Sequence, residues 1–208
     1  MFFTKEQFDE MSRLQNEMNS IVNPDWVTAK YPWYRAAYIE AVELMGDSYK
    51  WWKHSAIDID NAKIEVVDIW HFVLSNAMIE KDRYADFARH MRDIEEVPFS
   101  DFVTNVEFFI SSILRYKSVG PYQCEFLAKA MIHIGLSWDE CYKLYILKNV
   151  LNRLRQKHGY KDGTYIKMWN GVEDNAVAMK IASDFVENLT YDSLFDKLDT
   201  YYTTNVKK

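Results

Sequence analysis

Two short acidic motifs sit inside apolar helical stretches of the chain. Glu40 and Glu43 lie in YIEAVEL, and Glu65 and Asp68 lie in KIEVVDIW. Residues three apart share one face of a helix, so each motif aims two carboxylates in one direction. Packed side by side, the two helices bring four carboxylates into one small volume. Such a cluster carries mutual repulsion and a desolvation cost that hard divalent cations, bound through oxygen, offset. The alternative is two solvated helix faces, and a chain of 208 residues with 31 acidic side chains shows this spacing by chance. The neighbours argue against it. Ala36, Ala37, Ile39, Ala41, Val42 and Leu44 surround the first pair, and Ile64, Val66, Val67, Ile69, Trp70 and Phe72 the second. Helices apolar almost all round are buried, and their acids are expected to be buried with them.

The rest of the chain reads as all-α, a single multi-helix domain over residues 1–208. Six Gly and four Pro are too few for the turns of a sandwich or barrel. Thr4 with Gln7 forms a capping box for a helix running to about Val22. A connection from Asn23 to Pro32 leads to a second helix from Trp33 to Met45, ending near Gly46. Asp47 to Asp60 reads as a loop with a short helical turn, and a third helix spans about Asn61 to Glu80. The charged stretch 81–99 reads as solvated, with a helix around Arg83–Arg92, and residues 81–118 are a candidate capping or mobile subregion. Phe102–Tyr116 and Pro121–Ile134 read as helices. Ser137 with Glu140 is a second capping box, opening a helix to His158 where Gly159 supplies the stop. Gly159–Asn175 reads as a loop, followed by one or two amphipathic helices to Tyr202.

A formal charge of −6 argues against nucleic acid or an acidic membrane as partner. The basic residues cluster locally between Lys143 and Lys167, which suits a small anion. Lys148, Asn152 and Arg155 fall at i, i+4 and i+7 on one helical face, a ladder that can grip phosphate or, on the plainer reading, a solvated face. Tyr160 and Lys161 follow the Gly159 stop and can reach the same anion. Trp51, Trp52 and Lys53 place aromatics beside a cation, suited to stacking a base and holding a phosphate, or to core and dimer contacts. Gln15 and Asn19 share a face of the first helix and can read the edge of a pyrimidine. His71 can bond a base or sit as a satisfied core histidine. The two cysteines form no disulfide framework, and MFFTKEQF lacks the apolar run of a signal peptide, so a cytoplasmic location is expected.

Taken in order, EAVEL, KWWK, KIEVVDIWHF, KNVLNRLRQKHGYKDGTY and MWNGVEDN over residues 40–175, with LQNEMN at 14–19, resemble the all-α dimeric dUTPases. These belong to the wider all-α nucleotide pyrophosphohydrolase superfamily with MazG-like proteins and phage dCTP/dUTP pyrophosphatases. The acidic quartet marks the superfamily, and the segment from Lys148 to Tyr165 marks the dUTPase branch. The resemblance implies a homodimer that hydrolyses dUTP, and dUDP as a second substrate, to dUMP, keeping uracil out of DNA and feeding dTMP synthesis. It implies two or three Mg²⁺ ions, with Mn²⁺ as a substitute, on Glu40, Glu43, Glu65 and Asp68, with Glu43 acting on the attacking water at the β-phosphorus. Lys53, Lys148, Asn152, Arg155, Tyr160 and Lys161 would hold the phosphates, and Gln15, Asn19, Trp52, His71 and Asn175 the base and sugar. The competing readings are a dCTP/dUTP or broader dNTP pyrophosphohydrolase on the same metal centre, and a non-enzymatic helical partner-binding protein.

Overall fold

The computed structural model describes residues 2–48, 58–92, 94, 101–183 and 190–206. Among these, the regular structure is nine helices and one two-stranded hairpin, and the all-α expectation holds. Helix α1 spans Lys5–Val22 and opens on the expected reciprocal box between Thr4 and Gln7. Helix α2 covers Trp33–Ser48 and α3 Ile59–Glu80. Gly46 does not stop α2, because its φ is not among the positive ones that break a helix. Trp51, Trp52 and Lys53 lie outside the described residues.

Helices α4 (Tyr84–Met91), α5 (Phe102–Tyr116) and α6 (Pro121–His133) follow. The described part of 81–118 supplies Phe87, Val106, Phe109 and Ile113 to the main core. Pro121 occupies the first turn of α6, where its missing N–H costs nothing. Helix α7 runs Trp138–Lys157 and ends in a Schellman motif: Tyr160 N–H bonds Arg155 O at 2.9 Å and Gly159 N–H bonds Gln156 O at 3.2 Å. Gly159 has φ +82°, and a Cβ there would lie 2.1 Å from Thr164 Oγ1, so the turn requires glycine. It folds Tyr160 back alongside the helix.

The loop expected between Gly159 and Asn175 contains a small hairpin, β1 (Met168–Trp169) against β2 (Val172–Glu173). Its turn is Asn170-Gly171, both at positive φ (52° and 85°), as the tight hairpin turn of this dipeptide demands. Helices α8 (Asp174–Ser183) and α9 (Tyr191–Asn205) complete the order.

Helix α7 joins two cores. Its first half, with Tyr145, packs into the cluster built from α1 to α6, and its second half, from Leu147, packs with Trp169, Leu194, Leu198 and Tyr202. Helices α1, α3 and α7 touch one another, and α2 lies along α3. The site forms where these four meet.

Candidate active site

Helix α2 turns a stripe of Ala37, Ala41 and Leu44 against its neighbours and leaves Ile39 and Val42 exposed, at 53% and 37%. Glu40 and Glu43 flank that stripe. The acids are therefore less buried than the sequence pattern suggests: Glu40, Glu65 and Asp68 are half-buried and Glu43 is exposed, because among the described residues only one face of α2 is covered. Helix α3 does run almost wholly through the core.

One carboxylate oxygen each from Glu40, Glu43 and Glu65 lies within 4.8 Å of the others. Burial, and then the charges of Asp68 and Glu43, push Glu40 up to about 7; burial, Asp68 and Glu43 do the same to Glu65. Three oxygen donors that repel and share protons fit a hard dication, which supplies the missing positive charge. Asp68 stands apart from the triad and pairs with Lys148 at 2.9 Å. Burial raises its carboxyl, and Lys148 and Arg155 oppose that rise.

The facing helix is not a solvated one. Lys148 and Arg155 are buried, at 7% and 9% exposed. Lys148 Nζ also donates to Asn175 Oδ1 at 3.3 Å. Arg155 forms a two-pronged pair with Asp174 at 2.8 and 2.9 Å, donates to Asn152 Oδ1 at 3.1 Å and to Asn175 Oδ1 at 3.3 Å, and lies against the Tyr160 ring. Asp174, absent from the sequence-based list, is the organiser: fully buried, it accepts from Arg155, from the Tyr165 hydroxyl at 2.8 Å and from Asn175 N–H at 2.8 Å. Arg155 and Tyr165 hold its carboxyl below the usual range against the cost of burial. The hairpin delivers it to α7. Lys161 reaches the Val22 carbonyl at 3.3 Å, on the surface beside α1.

Two neighbouring cavities result. The first, about 360 Å³, is walled by Gln15, Asn19, Trp26, Trp33, His71 and Phe72. The second, about 820 Å³, holds Glu43, Glu65 and Asn175. Glu40, Asp68, Lys148, Arg155 and Tyr160 border both, so one elongated ligand can lie across them. Asn175, expected at the base or sugar, lies with the cations in the second cavity. In the first, Trp33 stacks on Phe72 (6.2 Å, 28°) and meets Trp26 edge-on at 5.9 Å. His71 Nδ1 lies 2.7 Å from Gln15 Oε1, and burial depresses its pKa to about 3, so it is neutral. The aromatic wall escapes sequence reading because Trp26 and Trp33 sit in and after a connection with no motif of its own.

An α-helical bundle that sets an oxygen cage against buried cations, with an aromatic chamber alongside, has the build of a nucleotide hydrolase. The sequence model described as dUTPase matches residues 7–160, about three quarters of the chain. No curated protein matches. The chain belongs to the all-α dUTPase family and is an enzyme that hydrolyses dUTP.

Proposed function

We propose that the enzyme converts dUTP to dUMP and pyrophosphate in a Mg²⁺-dependent reaction, with Mn²⁺ able to replace Mg²⁺, and that dUDP is a second substrate. The observation that carries this reading is the second cavity, which the Glu40, Glu43 and Glu65 cluster lines together with Lys148 and Arg155. Glu40, Glu43, Glu65 and Asp68 would hold two or three ions. When bound, Mg²⁺ supplies positive charge that neutralises phosphate oxygens and acidifies water.

The chain's own groups do the rest. Glu43, the exposed member of the cluster, orients the attacking water and takes its proton. Lys148, Asn152 and Arg155 hold the phosphates and stabilise charge on the leaving group. Lys148 is paired with Asp68, and substrate phosphate competes for that ammonium. Tyr160 closes over the phosphate side, with Lys161 and Lys53 assigned to the same chain of anions. Gln15, Asn19 and His71 face the base, Asn175 links Lys148 and Arg155 at the phosphate side of the sugar, and Trp52 is assigned to the base.

The reading extends to a homodimer acting as one domain per chain in the cytoplasm. An aromatic surface supports the dimer: Phe108, Tyr116 and Tyr122 are exposed at 49%, 56% and 44%, and Tyr122 packs edge-on against Phe126. The cytoplasmic assignment is supported by the two free, buried cysteines. No helix among the described residues is long and apolar enough to cross a membrane.

The test is pyrophosphate release from dUTP by purified protein with Mg²⁺, compared with Glu65→Ala. Loss of turnover with the fold intact is expected, and unchanged turnover would refute the cation assignment.

A further inference from the structure

One wall of the aromatic cavity carries a hydrogen-bond chain whose directions are fixed by a single backbone carbonyl. The Ser75 hydroxyl donates to His71 O at 2.9 Å. That uses its only proton, so the Asn19 atom 2.9 Å from Ser75 Oγ is the donor Nδ2. Asn19 therefore presents Oδ1 to Gln15, which answers with Nε2 at 2.8 Å. Gln15 Oε1 is left facing the Tyr145 hydroxyl at 2.8 Å and His71 Nδ1 at 2.7 Å. An amide oxygen only accepts, so His71 Nδ1 carries a proton.

The other ring nitrogen, Nε2, is then a bare lone pair, and it has no partner among the described residues. The ring is 6% exposed and stacks on Tyr145 at 4.2 Å, which fixes its plane. Donors line the same cavity as this acceptor. Gln15 and Asn19 each commit one amide proton to the chain and keep the other, and the buried Trp33 Nε1–H, on the same cavity, has no partner.

We propose that Ser75, Asn19, Gln15 and Tyr145 form a relay that locks the His71 tautomer and thereby sets base selectivity, the bare Nε2 accepting a ring N–H and rejecting a ring lone pair. This rests on reading the cavity as the base pocket. Uracil offers an N–H between two carbonyl oxygens, the complement of one acceptor among donors. Cytosine places a lone pair where uracil has that proton, so two acceptors would meet in a buried site, and neither finds a donor. Ser75 and Tyr145 are positioning residues, acting through Gln15 and His71.

The first test needs no variant. Long-range ¹H–¹⁵N spectra of the ligand-free enzyme are expected to show His71 protonated at Nδ1 and bare at Nε2; the reverse pattern would overturn the proposal whatever fills the cavity. Ser75→Ala then frees Asn19 and Gln15 to turn over. Mixed His71 tautomers and a drop of about tenfold in the dUTP to dCTP ratio of kcat/KM are expected, and mixed tautomers with an unchanged ratio would overturn it. Finally, α,β-imido-dUTP should perturb the wild-type Nε2 resonance. A resonance that stays fixed while the nucleotide binds would instead refute the base-pocket reading beneath the proposal, leaving the tautomer assignment standing.

Discussion

The carboxylate cluster between α2 and α3 and the amide relay between α1 and α3 share one helix, yet their polar groups are satisfied in opposite ways. In the relay each link from Ser75 to Tyr145 pairs one donor with one acceptor at 2.7–2.9 Å, and His71 is kept neutral by burial. In the cluster, Glu40 and Glu65 are held near neutrality only by protons, at about 7, because burial and like charges disfavour their ionised forms. The relay's internal links hold its side chains in place and leave the His71 Nε2 lone pair to read a ligand, as a part that reads shape and hydrogen-bond pattern must. The cluster is completed by what binds it.

The largest expected effect follows from that contrast. Glu65→Gln should lower kcat/KM for dUTP by about a thousandfold or more, since a cation site that stabilises transition-state charge is worth several kcal/mol. The same change should leave the ligand-free protein at least as stable at pH 8, because it removes a repelling charge. Thermal melts and steady-state rates on one preparation decide it; a destabilised variant with normal turnover would show the cluster to be scaffolding.

Next in size is the anchor of the cationic face. Asp174→Ala leaves the Arg155 guanidinium buried without its partner, and breaking a buried pair on one side costs about 3–5 kcal/mol. Urea unfolding should show this, and the double variant Asp174→Ala with Arg155→Met should recover most of it. Additive losses would place the two residues outside one network.

A smaller effect is the pH dependence of the ligand-free fold. Unfolded glutamates titrate near 4.5, whereas Glu40 and Glu65 in the fold titrate near 7. Between these values the folded form holds more protons, so stability falls as pH rises from about 4.5 to about 7. Saturating Mg²⁺ should flatten that slope, as the cation favours the charged carboxylates. Urea midpoints at pH 5 and pH 8, with Mg²⁺ or with chelator, measure it, and a slope indifferent to metal would separate the cluster from the cation.

The relay end predicts the smallest and opposite signature. His71 is neutral in the fold down to about pH 3 but titrates near 6.5 when unfolded. The unfolded chain therefore binds the extra proton, and stability is lost as pH falls below about 6.5. His71→Gln should remove that share of the acid loss, and an unchanged acid limb would mean that His71 is protonated in the fold.

Much of this was legible in the residues. The four acids, the Thr4 and Ser137 caps and the Gly159 stop obey local rules, and they place α1, α2, α3 and α7 with their faces. Asn170-Gly171 carried a hairpin signal equally local, which a loop reading passes over. The rest depends on tertiary contact. Asp174 looks like one acid among several in GVEDN, and only the hairpin brings it to Arg155, 19 positions earlier in the chain. Tyr145 and Ser75 look like core filler until α1 is laid against α3 and α7. The exposure of Glu43 depends on which side of α2 finds a partner, and its apolar neighbours could not decide that.

The central claim is that the acid cluster and the cationic helix act on one triphosphate. ³¹P NMR of dUTP incubated with the enzyme tests it directly: pyrophosphate and dUMP should appear with Mg²⁺ and stop on chelation, and Glu65→Gln and Lys148→Met should each abolish the signal. Hydrolysis that persists under chelator, or that survives either substitution, would contradict it.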